Sequence, residues 1–592
     1  MLLPNFPHNF RPHYLVTMHP SLKLLLSAAS LLPLAQAFQY TPLQLAYPEL
    51  RAKQPQQLTP ESAVSQQSTT AEYPEYYLSV PVDHFHNDSR YAPHSDDHFD
   101  LRYWFDTQHY EEGGPVFVIA AGETDATARF PFLSQGIVTE LAAKYHGIGV
   151  ILEHRFYGKS YPVDDLTTEN IRFLSTDQAL ADYAYFASNV VFPGLEHVNL
   201  TSKTTPWIAY GGSYAGAFVA FLRKLYPDVY WGAISSSGVT EAIIDFWQYY
   251  EPIRKFGPSD CIWATQTFID VVDRILIDHA DNKTLGQQLK SSIGVSPDKD
   301  DVSFVSLLSS GLDSFQSRNW DSNIGSSAFR DYCDNITSSD LLYPDTETIK
   351  PTIEELVEVA GYDASNSSFV NGFLNHIGLL NQSFSSDDNS AETEESNSSD
   401  SKSLPKSDGI SWEYQVCTEW GYFMSGASVP KDIMPLISRV LDVASVSTFC
   451  DTTYGITSPP NVTNINKHGG FNFSYPRVAI IDGLADPWRD ATPHADGTQE
   501  RESTDDEPFI LIDVPAEDVW DGIRGAVHHW DQNGLSTKDE NKGQEPPAAI
   551  VEVQKEVLRF VGVWLDQWKQ RSGGSARLVG GIRGPGRSQV PL

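Results

Sequence analysis

Three side-chain types in this sequence could together form a charge relay for nucleophilic catalysis. Ser213 lies in the small-residue run 211–216, between an apolar segment, 206–210, and an amphipathic segment, 217–226. A strand, a tight glycine turn with serine at its apex and a helix form the setting of a nucleophile elbow. The serine becomes nucleophilic only when a base takes its proton and an acid orients that base. A histidine and an aspartate must therefore come from other loops.

The residues around Ser213 are as small as a sharp chain reversal requires. Side chains two positions before and two positions after the serine would collide, and Gly211 and Ala215 avoid that collision. Ala215 is a departure, since the usual pattern has glycine at that position.

The oxyanion of the reaction needs two backbone donors near the serine. The N–H of Tyr214 is one expected donor, because it opens the helix and has the helix dipole behind it. The second is expected from Gly122 or Glu123, which follow an apolar strand predicted at 116–121. The Glu123 side chain either caps this loop or holds a substrate amine.

Two aspartates compete for the acid role. Asp482 and Asp486 follow an apolar strand predicted at 477–481. In an open parallel sheet, the loops at the carboxyl ends of the strands build the site. Asp486 is favoured because the loop must reach outward to the histidine, whereas Asp482 could instead stabilise the turn.

Two adjacent histidines compete for the base role. His528 and His529 follow the strand predicted at 508–514. Adjacent side chains diverge, so only one of the two can face Ser213. The other is expected to be a hydrogen-bonded structural histidine. The chain order of the relay is then serine, aspartate, histidine.

The predicted fold class is α/β, with a mostly parallel sheet and a large helical cap inserted after the nucleophile half. Apolar strands without alternation, joined by helical segments, indicate a parallel sheet covered on both faces. They are predicted at 115–121, 147–153, 206–210, 232–236, 477–481 and 508–514, with further strands at 80–85 and 99–105. The expected divisions are a signal peptide at 1–37, a flexible leader at 38–72, the α/β halves at 73–240 and 471–570, the cap at 241–470 with a disordered loop at 383–409, and a disordered tail at 571–592.

Composition limits the partners and cofactors. The net charge is −36 over 592 residues, which disfavours nucleic acid and anionic membranes. No His-x-x-x-His or paired-cysteine spacing calls for a metal, and no organic cofactor is expected. Four cysteines make at most two bridges in any of three pairings.

The N-terminal segment has the features of a secretory signal. Lys23 precedes the apolar run 24–34, and Ala35-Gln36-Ala37 is a small-x-small cleavage site. The run is too short for a membrane span, and either Met1 or Met18 could be the start. A secreted protein, or one of the vacuolar or lysosomal lumen, is expected. Nine glycosylation sequons agree with this: Asn87, Asn199, Asn282, Asn335, Asn366, Asn381, Asn397, Asn461 and Asn472.

These residues resemble the prolyl carboxypeptidase and dipeptidyl peptidase II-like serine peptidases. The matching blocks are 83–85, 102–104, 153–160, 178–182, 211–216, 412–419, 482–488 and 528–531. The run 245–250 is most similar to the fungal secreted branch, which includes acid prolyl endopeptidases. The resemblance implies an α/β-hydrolase with a helical cap that cleaves proline-containing peptides or proteins after proline, and it leaves a homodimer open.

The resemblance also assigns roles. It implies Ser213 as nucleophile, Asp486 as acid and His528, the first histidine of the pair, as base. It implies a Cys417–Cys450 disulfide, which leaves Cys261 to pair with Cys333. Trp488 and Trp530 could form flat walls of a proline pocket, or could simply pack in the core.

Three departures from the family pattern concern the pocket rather than the relay. Asp482 stands where asparagine is common, Val527 is an extra residue before His528, and Trp530 and Gln532 replace leucines. Exo- and endopeptidase action therefore both stay open. An α/β-hydrolase esterase or lipase, and a catalytically silent binding protein, are the alternative functions.

Overall fold

The structure is a computed structural model that describes residues 73–309, 311–322, 324–385, 403–533 and 545–579. The predicted signal peptide and leader lie outside these residues. Ten strands are described: β1 (Tyr76–Pro81), β2 (His98–Asp106), β3 (Val116–Ala120), β4 (Ile148–Leu152), β5 (Trp207–Gly212), β6 (Gly232–Ser236), β7 (Ile243–Asp245), β8 (Gly421–Phe423), β9 (Val478–Gly483) and β10 (Phe509–Ile512).

Eight of these strands form one mostly parallel sheet, as the apolar runs predicted. Its order is β1-β2-β4-β3-β5-β6-β9-β10. Strand β2 pairs antiparallel with β1 and with β4, and the other pairs are parallel. Every residue of β3, β4, β6 and β9 is buried. Both faces of these strands are covered, so they carry apolar residues without alternation.

The helices lie on both sides of this sheet and in the cap. They are α1 (Ile137–Tyr145), α2 (Thr176–Asn189), α3 (Tyr214–Leu225), α4 (Glu251–Phe256), α5 (Ser259–Asp273), α6 (Lys283–Ser292), α7 (Asp301–Ser306), α8 (Ala328–Ile336), α9 (Lys350–Val359), α10 (Ser367–Ser385), α11 (Asp408–Gln415), α12 (Val443–Val446), α13 (Thr448–Tyr454), α14 (Thr463–Asn466) and α15 (Ala548–Val579).

The chain between β6 and β9 is mostly helical and forms the cap. It also contains β7 and β8, which pair in a separate two-stranded parallel sheet. Two disulfides hold the cap: Cys261–Cys333 joins α5 to α8, and Cys417–Cys450 joins the segment after α11 to α13. Both pairings that the resemblance implied are confirmed.

The ends of two predicted disordered segments are helical. Helix α10 continues to Ser385 and α11 begins at Asp408, so 386–402 is the part of the predicted loop outside the described residues. Helix α15 continues to Val579, which leaves 580–592 of the tail outside. In the part of the chain that the structure describes, no helix has the length and apolar character to cross a bilayer.

The register of the sheet brings three loops to one edge. Gly212 of β5 pairs with Ser236 of β6, and Ser236 pairs with Ile481 of β9. Ile512, the last residue of β10, pairs with Gly483 of β9. The chain segments that follow β5, β9 and β10 therefore leave the sheet side by side, and they carry the serine, aspartate and histidine candidates.

Candidate active site

Ser213 occupies a strained turn between β5 and α3. Its backbone angles are φ 59° and ψ −126°, a conformation that a non-glycine residue adopts only when its surroundings enforce it. Its N–H donates to Ser236 O (2.9 Å), and its own carbonyl accepts from Gly216 and Ala217 N–H. The Oγ is buried and has no hydrogen-bond partner among the described residues. The turn thus leaves the buried serine hydroxyl without a hydrogen bond to any described residue.

Close contacts explain the small residues of the elbow. A Cβ on Gly211 would lie 2.1 Å from the Ala215 carbonyl oxygen, and one on Gly216 would lie 2.8 Å from Gly238 Cα. Gly211 is therefore sterically required. At Ala215 the structure accommodates one methyl group, which faces Gly122 of the loop after β3.

Asp486 and His528 form a buried hydrogen-bonded pair beside this edge of the sheet. His528 Nδ1 lies 2.8 Å from Asp486 Oδ2 and 3.1 Å from Oδ1. The aspartate side chain is 0% and the histidine side chain 4% exposed. A carboxylate on Nδ1 fixes the imidazole with Nε2 as its basic nitrogen, which is the geometry of a general base.

Asp482 has a different partner. It lies within β9, and its Oδ2 is 2.6 Å from Nδ1 of His494. The two competing aspartates are thus paired with two different histidines, and only Asp486 holds a histidine of the 528–529 pair.

The His529 ring packs against the elbow at Gly212. A Cβ on Gly212 would come within 2.8 Å of His529 Nε2, and the His529 N–H donates to Ser237 Oγ (3.2 Å). Nε2 has no hydrogen-bond partner among the described residues, so the expectation of a hydrogen-bonded ring is wrong at this atom. Burial and the nearby His528 hold the pKa of His529 well below its usual value. The His529 ring is therefore neutral and fills the space next to Gly212.

The loop after β3 lies against the first turn of α3. Gly122 has φ 76°, and a Cβ there would approach Ala215 Cβ to 3.2 Å. The preceding carbonyl, Ala121 O, accepts from Arg129 Nε (3.1 Å). Tyr214 is the first residue of α3, where a backbone N–H has no acceptor within the helix. These two stretches are the expected oxyanion donors, and they are neighbours.

Glu123 is buried within this loop. Its Oε1 has no hydrogen-bond partner among the described residues, and burial raises its pKa to about 8. The nearby guanidinium of Arg129 opposes this shift without cancelling it. Below that pH the side chain is a neutral carboxylic acid, which can donate a hydrogen bond as well as accept one.

The cap reaches the elbow through a chain of side chains that sequence reasoning did not find. Gln415, at the end of α11, donates to the Tyr214 hydroxyl (3.0 Å) and accepts from the Tyr157 hydroxyl. The Tyr214 hydroxyl lies 2.8 Å from His154 Nε2. Because His154 Nδ1 faces the Arg155 carbonyl at 2.7 Å, Nδ1 carries the proton and Nε2 accepts from Tyr214. The matching blocks 153–160 and 412–419 contain His154, Tyr157 and Gln415, but spacing alone gave these three residues no role.

Asp531 is a second residue that sequence reasoning missed. It accepts from the Tyr210 hydroxyl of β5 (2.9 Å) and from Ser236 Oγ of β6 (2.5 Å), and its carbonyl accepts from Gln554 of α15. Burial raises its pKa to about 6. The carboxylate therefore ties the histidine loop directly to the two central strands.

Trp488 lies in an aromatic box beside Asp486. Its N–H donates to Asp486 Oδ1 (3.0 Å) and its indole Nε1 donates to Gln316 of the cap (2.9 Å). Phe246, Tyr249 and Tyr422 pack around its ring at centroid distances of 5.2 to 5.6 Å. Trp488 thus contacts both Asp486 and the cap.

Trp530, which follows the two histidines in the chain, packs against the cap. Its indole Nε1 donates to Arg318 O (2.9 Å), and its carbonyl accepts from Trp320 Nε1 (3.1 Å). The Arg318 guanidinium forms a buried ion pair with Asp521 at 2.6 Å. Trp488 and Trp530 are each only 1% exposed, so both belong to the interface of cap and core.

The sequons differ in exposure. Asn87, Asn199, Asn282, Asn366, Asn461 and Asn472 are exposed, Asn335 and Asn381 are partly buried, and Asn397 lies outside the described residues. The described residues contain no group of three or more His, Cys, Asp or Glu side chains placed to hold a metal ion.

Comparison with known proteins places the chain in a family. The model of the serine carboxypeptidase S28 family matches residues 81–505. A "Probable extracellular serine carboxypeptidase" of Arthroderma benhamiae is 45% identical over 84% of this chain and 69% of its own length. "Serine protease vicPb" of Bipolaris victoriae is 26% identical over 78% of this chain and 86% of its own length. The chain belongs to the S28 family and is a serine-type peptidase of the α/β-hydrolase class.

A solved structure adds nothing to this assignment. An esterase from Pseudomonas putida matches 35% of this chain and 61% of its own, at 13% identity and a TM-score of 0.21. The family match identifies a serine-type peptidase rather than an esterase or a catalytically silent binding protein. It agrees with the family that the sequence motifs indicated.

Proposed function

We propose that this peptidase cleaves peptide bonds on the carboxyl side of proline, with Ser213, His528 and Asp486 as its catalytic residues. The observation that carries the proposal is the buried pair of His528 Nδ1 and Asp486 at 2.8 Å, on the loops that leave the sheet beside the strained Ser213 turn. In this reaction His528 takes the serine proton, Ser213 attacks the carbonyl carbon, and His528 returns the proton to the leaving amine. Water then hydrolyses the acyl-enzyme by the same route.

The oxyanion of both tetrahedral steps would be held by backbone N–H groups. Tyr214 supplies one, at the positive end of α3, and Gly122 or Glu123 supplies the other. The contact between Gly122 and Ala215 supports this pairing, because it holds the two stretches together.

The proline preference rests on the aromatic box around Trp488. A proline ring is compact and apolar, and flat aromatic walls next to the acid–base pair suit it. Trp530 would form a further wall of the proposed proline pocket. The neutral Glu123 carboxyl is suited to a substrate carbonyl, and an incoming substrate ammonium would instead take it to its ionised form.

The proposal includes export of the protein to the cell exterior or to a vacuolar or lysosomal lumen. Two cap disulfides support this, because such bonds form and persist in oxidising compartments. The relative from Arthroderma benhamiae, which its name describes as extracellular, supports it too.

The test is a digest of a peptide library in acidic buffer, read by mass spectrometry, with Ser213→Ala as control. We expect new termini that follow proline and that are absent with the variant. The product lengths then distinguish dipeptidyl, carboxypeptidase and endopeptidase action. Cleavage without preference for proline would refute the specificity, and cleavage that persists in Ser213→Ala would refute the mechanism.

A further inference from the structure

A small aromatic cleft lies on the cap, on helices that carry none of the proposed catalytic residues. It has a volume of about 210 Å³ between α5 and α10. Its lining includes Trp263, Phe268, Asn366, Phe369, Phe373 and His376. Trp263 is 53% exposed, whereas the other tryptophans of the described residues are buried or partly buried. The exposed indole and the neighbouring aromatic rings give this cleft flat apolar walls on which a small group can pack.

Asn366 lies in the lining of this cleft and begins the sequon Asn366-Ser367-Ser368. It is exposed, and its Oδ1 accepts from the Phe369 N–H (3.2 Å) at the start of α10. No hydrogen bond to a described residue uses its Nδ2, the atom to which a sugar attaches. As the N-cap residue of helix α10, Asn366 thus has its side chain oriented by this hydrogen bond, while Nδ2 is left available for a sugar.

A second sequon beside the cleft is placed differently. Ile336 and Thr337 line the cleft, and Asn335 precedes them. Asn335 is partly buried, its Nδ2 donates to Asp331 O (2.7 Å), and its Oδ1 accepts from the Tyr343 hydroxyl (2.8 Å). Hydrogen bonds hold both ends of the partly buried Asn335 amide, whereas Asn366 is exposed and its Nδ2 bonds no described residue, so Asn366 is the acceptor with more room for a sugar.

We propose that Asn366 carries an N-linked glycan whose first N-acetylhexosamine lies in this cleft, against Trp263 and Phe369. The transfer forms a bond between Asn366 Nδ2 and the anomeric carbon. It breaks the bond from that carbon to the oxygen of a lipid-diphosphate donor, and the amide loses one proton. The proposal rests on the export that forms part of the proposed function.

Size and attachment both favour a sugar as the occupant. Pockets for drug-sized ligands measure about 300–1,000 Å³, so this cleft suits a smaller group. The apolar C–H face of a sugar ring packs well on an aromatic face, and its polar edge can stay in water. The covalent link holds the sugar at an effective concentration of about millimolar or more, so weak packing suffices to keep it in place.

The test combines glycopeptide mapping with hydroxyl-radical footprinting of Trp263 on the full-length secreted protein. Ser368→Ala removes the sequon and keeps the hydrogen bond by which Asn366 caps the N-terminus of α10. Ser368→Thr keeps the sequon and is the matched control. Thr284→Ala removes the sequon of Asn282, whose asparagine is likewise exposed but does not line this cleft. We expect a sugar on Asn366, and a several-fold rise in Trp263 labelling in Ser368→Ala only.

An endoglycosidase that leaves one N-acetylglucosamine on asparagine isolates the first sugar. We expect Trp263 to stay protected after this treatment, and to become labelled when an amidase removes the whole glycan. Two results would overturn the proposal. One is Trp263 labelling that does not change when the glycan is removed. The other is the absence of a sugar on Asn366 when Asn199 and Asn282 carry one. Protection of Trp263 by added substrate peptide instead would make the cleft a substrate-docking site. Sugar on no sequon of the secreted protein would also overturn the proposal, while leaving the peptidase activity to be judged by the library digest.

Discussion

The site contains two pairs of like residues, two aspartates and two histidines, and the contacts of each residue distinguish the members of a pair. Asp482 and Asp486 lie four positions apart, each is at most 1% exposed, and each contacts a different histidine. His528 and His529 are neighbours, and only the first bonds an aspartate. In each pair, one member has the geometry of a relay and the other that of a structural residue.

The aspartates give the first prediction. Asp486→Asn should lower kcat by about 10⁴-fold, because the amide stabilises the wrong tautomer of His528. Asp482→Asn changes the contact to His494 and should leave kcat near that of the wild type. Steady-state kinetics on a prolyl peptide, with circular dichroism to confirm folding, checks both. Equal losses in the two variants would contradict the assignment of the acid.

Glu123 gives a prediction about pH and stability. Burial raises its folded-state pKa to about 8, against 4.5 as its ordinary value. The unfolded chain therefore ionises first, so this residue destabilises the fold increasingly as pH rises from about 4.5 to 8. Glu123→Gln should raise the free energy of unfolding at pH 8 by at least about 1 kcal/mol. It should have little effect at pH 4.

Urea unfolding of both proteins at pH 4, 6 and 8 measures this difference. A gap between wild type and Glu123→Gln that widens with pH is expected. A constant gap, or one that widens toward acid, would mean that Glu123 is ionised in the folded protein.

At the scale of elements, the histidine loop is held by side chains of the central strands. The hydroxyls of Tyr210 and Ser236 both donate to Asp531, three residues after His528. The loop that carries the proposed base is therefore fixed to the same strands, β5 and β6, that flank the proposed nucleophile. Asp531 is a positioning residue in this account.

Removing one of these donors should act on the base through its position. Tyr210→Phe should lower kcat about tenfold with a smaller change in KM, because a loosened base mainly affects the transition state. It should also raise the pKa of Asp531 further, and so move the acidic limb of the pH–rate profile to higher pH. Tyr230→Phe is the matched control, since that buried hydroxyl donates to Tyr183 O instead.

A purely structural role for Tyr210 would give a different result. The two tyrosine variants would then lose stability alike, and the pH–rate profile of Tyr210→Phe would keep its shape. Profiles of kcat against pH for the three proteins decide between these readings.

The strands of the core were predictable from the sequence, and the reason is physical. A strand buried on both faces is mostly apolar, and β3, β4, β5, β6 and β9 each overlap a predicted run. The edge strand β10 overlaps one as well, although it is only partly buried. Turn chemistry located the elbow, and strand ends located the aspartates and histidines. The resemblance added the disulfide pairing, which residue spacing left open.

The polar networks were not predictable from the sequence. Gln415 and Tyr214 lie about 200 positions apart, and Asp531 and Ser236 about 300. Single contacts between distant side chains have no period and no spacing rule, so they become visible only when the fold brings them together. The same holds for His529, whose neutral, unbonded Nε2 follows from the packing under Gly212.

At the scale of the whole molecule, the cap covers the proposed site. Ser213 and Asp486 are 0% exposed, and Trp488 is 1% exposed. The Arg318–Asp521 ion pair joins the cap to the loop before His528, and Arg318 also donates to Ile523 O. Substrate must therefore reach a site whose closure depends on contacts between cap and core.

This ion pair gives a stability prediction with an internal control. Arg318→Met leaves Asp521 as an unpaired buried charge and should lower the free energy of unfolding by about 3–5 kcal/mol. Adding Asp521→Asn should recover part of that loss. Arg524→Met breaks an exposed pair with Asp513 and should cost less than about 1 kcal/mol. Similar losses in both single variants, by urea unfolding, would mean that the buried pair does not stabilise the closed cap.

The central claim is that Ser213 is the nucleophile of a peptidase. The direct measurement is peptide mapping by mass spectrometry after treatment with a fluorophosphonate, alongside residual hydrolysis of a prolyl peptide. We expect one adduct per chain, on Ser213, with activity lost in proportion to labelling and no adduct in Ser213→Ala. An adduct on another residue, or full labelling of Ser213 with hydrolysis unchanged, would contradict it.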